Sequence, residues 1–220
     1  HTPRKPSMLK IWGRITSINV RKVVWAAQEL GVAFERIDAG GQFGGTQTPE
    51  FLARNPNALV PAIEDGEGAF QVTLFESNVI VRYLCARYSP GVFYPAALAQ
   101  RFDAERWMDW QQTSMNPAGR DAFIQLVRTA PAQRDAGKIA ASITAMQAQL
   151  QLLEQHLAQH RFVQGDAFGM ADIPLACEIH RWWGLPSADY QRPHYPHIER
   201  WFAALQARPA ARGVLDLRVE

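Results

Sequence analysis

Three short stretches carry residue types that could hold and activate a small acidic molecule. Thr16 and Ser17 place two hydroxyls between an alternating run, Leu9 to Trp12, and an amphipathic run that follows. A hydroxyl at the start of a helix can donate to an anion there, and the free N–H groups of the first turn add positive potential. Ionising a thiol needs that chemistry. A free thiol of pKa ~8.5 is only ~3% thiolate at pH 7, and lowering its pKa by about two units takes roughly 2.7 kcal/mol of preferential stabilisation. Asn19 can direct an amide N–H at the same anion. All three side chains also suit plain helix capping. In the second stretch, Asn55 to Pro61, the Val60-Pro61 bond is a candidate cis peptide, because X–Pro bonds reach cis at roughly 0.5–1 kcal/mol. Such a bond is expected to turn the Val60 N–H and C=O outward, ready to pair with an extended peptide. The third stretch, Glu76-Ser77-Asn78, reads as a helix entry with Ser77 as N-cap, a place for a carboxylate. Together the three make a cradle for a small, acidic, extended peptide.

The elements that must position this cradle follow from periodicity. Leu9 to Trp12 reads as a first strand and Gly13 to Ser17 as a polar turn. Val20, Val23, Val24, Ala27 and Leu30 recur at helical spacing, and Gly31 stops that helix. Phe34 to Asp38 alternates as a second strand. Ala39 to Thr48, with four glycines, is a loop: either a flap over a ligand or a plain connection. Pro49 to Ala53 reads as a short helix, Val60 to Glu64 as a third strand, Asp65 to Gly68 as a hairpin turn, Phe70 to Phe75 as a fourth strand, and Ser77 to Tyr88 as a helix. The order βαβ then ββα predicts a mixed four-stranded sheet with helices on both faces.

After the break at Ser89 to Pro95, strand signals largely vanish. Ile139, Ile143, Met146, Leu150, Leu153 and Leu157 mark a strong amphipathic helix. A further helix is expected near Met170, with Gly169 at its cap position and Asp172 favouring its N-terminal dipole. The predicted fold is an α/β thioredoxin-like N-terminal domain, residues 8–88, and an all-α helical C-terminal domain, residues 99–220, joined by a linker at 89–98.

Composition narrows the function. The 220 residues are 47% hydrophobic, enough for a substantial core, and the net charge of +2 gives no reason to expect nucleic acid or a membrane surface as partner. No apolar run reaches the ~18–20 residues of a membrane span. His1 to Ser7 is polar and basic with no apolar run behind it, unlike a secretory signal, and Met8 is a plausible native start. Cys85 and Cys177 lie in apolar helical patterns without CxxC spacing and read as buried free thiols, which fits a cytoplasmic location. The six histidines, His156 and His160 among them at i, i+4, form no HExxH or other metal set, and no metal is expected. Gly40 to Gly45 lacks the Lys-Ser/Thr of a phosphate loop.

The ordered motifs Ile11-Trp12-Gly13-Arg14, Ser17 to Val23, Asn55-Pro56 with Val60-Pro61, and Glu76-Ser77-Asn78 resemble the thioredoxin-like half of a cytosolic glutathione transferase of the bacterial, theta-like, serine type. Arg106 to Gln111 and Ala171-Asp172-Ile173 resemble its helical half, so the resemblance spans nearly the whole chain. It implies a homodimeric detoxification enzyme that conjugates glutathione, as co-substrate, to hydrophobic electrophiles or uses it to reduce hydroperoxides. By the same resemblance Ser17 is the thiolate stabiliser, with Thr16 as alternative. Leu59, Val60 and Pro61 border the cysteinyl part of glutathione, Glu76 and Ser77 hold the γ-glutamyl end, and Glu105 reaches across the dimer to the γ-glutamyl amine. Trp107, Met108, Trp110 and Gln111 are expected at a cleft for the apolar co-substrate. The family often has lysine where Leu59 stands and histidine in the loop occupied by Gly44, Gly45 and Thr46. The contacts those residues make to the glycyl carboxylate are expected to be lost here or taken over by Arg14 or Gln47. Two other readings use the same fold: a non-catalytic binding or scaffold protein, and a glutathione-dependent thiol reductase, whose relatives carry cysteine in place of Ser17.

Overall fold

The computed structural model describes residues 8–186 and 191–220; the expectations about His1 to Ser7 lie outside them. The chain divides between Pro90 and Gly91 into two compact units.

The first unit holds a four-stranded sheet built from β1 (Leu9–Trp12), β2 (Phe34–Ile37), β3 (Ala62–Asp65) and β4 (Val72–Phe75), in the order β2-β1-β3-β4. β1 and β2 run parallel, whereas β3 runs antiparallel to both β1 and β4. Side chains alternate across a strand. Leu9 and Ile11 therefore share one fully buried face, while Lys10 is exposed and Trp12 turns to the other face. Helices α1 (Ile18–Glu29) and α3 (Ser77–Tyr88) pack against each other. Helix α2 (Pro49–Arg54) supplies Phe51 to a smaller core with Ala39, Ala62, Trp12 and Val60.

Strand and helix ends shift by a residue in places, and the entries to β3, β4 and α3 differ from the sequence reading for local reasons. β3 begins at Ala62 rather than Val60, since Pro61 has no N–H to give to a ladder. β4 begins at Val72, because Gly68–Phe70 form a 3-10 turn that leaves Phe70 83% exposed. The N-cap of α3 is Glu76, not Ser77. Glu76 has φ 72° and ψ 107°, a conformation unusual for a residue with a Cβ, and Ser77 opens the helix. The first unit also encloses Asp65, which accepts hydrogen bonds from the Tyr83 hydroxyl at 2.8 Å and the Tyr88 hydroxyl at 2.8 Å and pairs with Arg87 at 3.1 Å. The carboxylate ties the sheet to α3.

The second unit is helical: α4 (Leu98–Trp110), α5 (Asn116–Phe123), α6 (Ala136–Gln159), α7 (Asp172–Trp183) and α8 (Pro196–Gln206). π-helical turns at Gln111–Met115 and Ile124–Arg128 join α4 to α5 and extend α5. Met146, Leu150, Leu153 and Leu157 of α6 are buried, as their spacing predicted, and Asp135 caps the helix by accepting from the Lys138 N–H at 3.0 Å.

The start of α7 departs from expectation. The residue before it is Ala171, not Gly169, and Asp172 does more than favour a dipole. Its fully buried carboxylate accepts from the Val163 N–H at 2.9 Å, the Gly169 N–H at 2.8 Å and the Trp201 indole at 2.7 Å. It ties the loop before α7 to α8. Among the described residues no helix is long and apolar enough to cross a membrane.

Candidate functional site

The sheet register fixes where the cradle residues lie. Trp12 stands opposite Ile37 on one side and Ala62 on the other, and Ala62 stands opposite Phe75. One end of the sheet therefore carries the exits of β2, β1 and β4 and the entrance to β3. The Gly40 turn, the Gly13–Ser17 loop, Val60-Pro61 and Glu76-Ser77 follow in that order along a single rim. With strands ~4.8 Å apart, the outer two are separated by about 14 Å. An extended tripeptide covers about 10–11 Å of backbone, so one small peptide lying along the rim meets most of it.

The loop carrying the two hydroxyls is pinned by backbone bonds. Gly13 N–H donates to Ile37 C=O at 2.8 Å, Arg14 N–H to Ala39 C=O at 3.0 Å, and Ser17 N–H to Arg14 C=O at 3.1 Å. The Arg36 guanidinium donates to Gly13 C=O at 2.9 Å, and that of the buried Arg21 to Ile15 C=O at 2.9 Å. Ser17 occupies the N-cap position of α1, at φ −74° and ψ 124°, yet its side chain makes no capping bond. Its hydroxyl is thus not engaged by the first turn of the helix. Thr16 is half-buried beside it.

Gly13 is required by space as well as by its φ of 152°. A Cβ there would meet Val20 Cγ2 at 2.4 Å and Val60 Cβ at 3.1 Å. Gly13→Ala should therefore destabilise the first unit by about 1–3 kcal/mol, through overpacking between α1 and the Val60 loop. Urea denaturation checks this; a change within about 0.5 kcal/mol would refute it.

The Val60-Pro61 peptide is cis. Neither backbone polar group of Val60 has a hydrogen-bond partner among the described residues. The loop before it is organised by Asn55, a buried side chain whose sequence context drew attention but whose role did not emerge from it. Its amide donates to Leu59 C=O at 2.7 Å, and its Oδ1 accepts from the Asn57 N–H at 3.0 Å. Leu59 itself is 65% exposed.

At the far end of the rim, the buried Ser77 hydroxyl donates to Asn19 Oδ1 at 3.2 Å and lies 3.5 Å from the fully buried Lys22 ammonium. Asn19 and Ser77 are therefore linked across 58 residues of sequence. Asn19 Oδ1 is occupied by this bond. The Ser77 hydroxyl faces α1, which leaves its backbone N–H, at the first turn of α3, as the group suited to a carboxylate. Lys22 was missed: it sits mid-helix in an apolar pattern, and burial of its charge depends on α3.

The remaining candidates belong to the second unit. Glu105 is half-buried and accepts from the Tyr94 hydroxyl at 2.9 Å. Trp107 stacks edge-on against Trp110, with ring centroids 5.2 Å apart, and lies 4.4 Å from the His156 ring. The Trp107 indole nitrogen is buried without a partner among the described residues. Met108 is fully buried. So is Gln111, whose amide donates to Glu178 Oε2 at 2.8 Å within a network that continues to Arg181 and Asn116. That network accompanies the π-helical turn at Gln111–Met115.

The His156 and His160 rings stack at 4.3 Å, and each donates a ring N–H to a backbone carbonyl, His156 Nε2 to Val163 C=O at 2.8 Å and His160 Nδ1 to His156 C=O at 2.9 Å. Among the described residues no group of three or more metal-ligating side chains is found. Both cysteines are buried and free, and burial pushes the Cys85 thiol up to about 12, so it is not a nucleophile near neutral pH.

Comparison with known proteins gives the family. Residues 7–86 match the family "Glutathione S-transferase, N-terminal domain", and residues 114–209 match "Glutathione S-transferase, C-terminal domain". The chain is 39% identical over 212 residues to glutathione S-transferase GstB of Escherichia coli K12, covering 96% of this chain and 100% of that one. It is 32% identical to glutathione S-transferase 3 of Zea mays, covering 92% of this chain and 90% of that one. Among solved structures, the theta class glutathione S-transferase of Xanthomonas axonopodis pv. citri with glutathione bound superposes with a TM-score of 0.90. It is 42% identical and covers 98% of this chain and 100% of that one.

Proposed function

We propose, since this chain belongs to the glutathione S-transferase family, that it binds glutathione along the rim of its first unit and transfers the tripeptide's thiolate to an apolar electrophile. One observation carries this reading. The unengaged Ser17 hydroxyl, the unpaired Val60 backbone and the first turn of α3 line up on one sheet end at the spacing of a short extended peptide. The γ-glutamyl carboxylate would meet the Ser77 N–H, and the cysteinyl backbone would pair with Val60. The sulfur would come to the start of α1, where the Ser17 hydroxyl donates to it. In conjugation the sulfur forms the new bond to carbon, the leaving group departs with the electron pair, and the thiol proton is released to water. The protein holds two reactants together and favours the anion.

A homodimer fits α4. Leu98 and Phe102, 64% and 60% exposed, lie one turn apart, and Glu105 follows on the same face. The buried free thiols Cys85 and Cys177 fit a reducing, cytoplasmic setting.

Calorimetric titration with glutathione at pH 7 tests the reading. Saturable binding at one site per chain is the expected result, accompanied by conjugation of an activated aryl halide. No binding at millimolar glutathione would overturn it and favour a non-catalytic binding protein of the same fold.

A further inference from the structure

The rim has a fourth station that the reaction itself does not use. The Arg14 side chain lies flat against the Gly40–Gly41 turn. A Cβ at Gly41 would meet Arg14 Nε at 2.8 Å, Cδ at 2.9 Å and Cζ at 3.0 Å. One at Gly40 would meet Arg14 Nη1 at 3.0 Å and Val60 Cγ1 at 3.3 Å. Guanidinium and Val60 thus flank the same point, and the space between them exists because both residues of the turn lack side chains. Gly40 and Gly41 have φ of 77° and 57°, which glycine adopts without penalty. The turn is closed by the Gly40 N–H donating to Gly44 C=O at 2.7 Å, so this part of the loop is a built seat for the arginine.

Arg14 is half-buried, and among the described residues its guanidinium has neither a carboxylate nor a hydrogen-bond partner. Other arginines of the first unit are engaged: Arg21 with Ile15, Arg36 with Asp38, Arg54 with Glu64, Arg87 with Asp65. A fixed, unpaired, partly desolvated guanidinium is a strong and geometrically selective carboxylate receptor.

Strand order gives the ligand's polarity. A peptide whose first carboxylate sits at α3, beyond β4, and whose middle pairs at Val60, before β3, ends beside β1 and β2, where Arg14 and Gly40 stand. We propose that Arg14 is the residue that fixes the glycyl carboxylate of glutathione and makes the enzyme select a free C-terminal carboxylate over a blocked one. This rests on the glutathione reading and sharpens it: Arg14, rather than the exposed Gln47, supplies the missing positive contact.

The test is titration of wild type, Arg14→Gln, Arg14→Lys and Gln47→Ala with glutathione and with its glycyl monoethyl ester. Wild type should bind glutathione about 10–100-fold more tightly than the ester. Arg14→Gln should lose that preference by weakening glutathione alone, with ester affinity as the internal check that the fold is intact. Arg14→Lys should restore part of the preference, and Gln47→Ala should keep it all. In steady-state kinetics, Arg14→Gln should raise KM for glutathione and leave kcat at saturation unchanged. Undiminished discrimination in Arg14→Gln, or equal wild-type affinity for the two ligands, would overturn the role of Arg14 while leaving the transferase reading standing. Wild type binding neither ligand would overturn that reading and this one with it.

Discussion

Ser17→Ala should lower kcat/KM for glutathione conjugation at pH 7 by about 10–100-fold, the equivalent of one charge-assisted hydrogen bond of about 1.5–3 kcal/mol. Ser17 stands at the N-cap of α1 with its hydroxyl not used for capping, so removing it should cost the helix little. What is lost is a donor to the sulfur anion. Without it the pKa of bound glutathione's thiol should rise by about 1–2 units. The sign matters for the pH profile. A depressed thiol pKa keeps the wild-type rate near its plateau at pH 7, whereas the variant's rate should still climb as pH rises through about 8. Glutathione affinity should stay within about 3-fold, because the carboxylates and the Val60 backbone are untouched. The measurements are kcat against pH and the ultraviolet absorbance of bound thiolate. Thr16→Ala should be near wild type. Loss on Thr16→Ala with Ser17→Ala unaffected would move the role one residue, and full activity in both would end the hydroxyl mechanism.

The largest effect on stability should come from Asp172. Asp172→Ala leaves the Val163 N–H, the Gly169 N–H and the Trp201 indole N–H without their buried acceptor. Each such orphaned group costs about 1–3 kcal/mol, so a loss of about 3–5 kcal/mol is expected for the second unit, after partial relaxation. Urea denaturation should show it, and a loss below about 1 kcal/mol would contradict the structural role. The site also titrates. Burial, opposed in part by the donated bonds, raises the carboxyl from 3.8 to about 6. A raised folded-state pKa gives stability that is fully present below the unfolded value. That stability declines as pH rises through about 6. The advantage of wild type over Asp172→Asn should therefore shrink between pH 4 and pH 7.

Much of this was legible in the sequence because its signals are local. Alternation in Leu9 to Trp12, the repeat from Met146 to Leu157 and the Val60-Pro61 step each depend on neighbours a few residues away, and the corresponding strand, helix and cis peptide are present. The misreadings share another cause. A hydroxyl at a helix entry suggests a cap, and Ser77 carries one. Its hydroxyl bonds instead to Asn19, and the positive φ of Glu76 shapes the entry. Asp172 in a first turn suggests only a dipole interaction, because its partners Trp201 and Val163 are brought beside it by the tertiary fold. Gln111 gave no sign that its amide bonds to Glu178, 67 residues on.

The sequence by itself determined the order of elements and the two-part architecture and singled out the candidate cradle residues, since periodicity, glycine and proline act within a few residues of where they stand. Only the tertiary structure decided where those residues stand and which of their polar groups are already bonded. Strand register set Arg14, Ser17, Val60 and Ser77 in one row, and the bare Gly40–Gly41 turn left Arg14 a seat. Contacts across tens of residues spent the Ser77 hydroxyl while leaving that of Ser17 unengaged by its helix. Which groups remain unpaired is a property of packing, and unpaired groups are the ones that can bind.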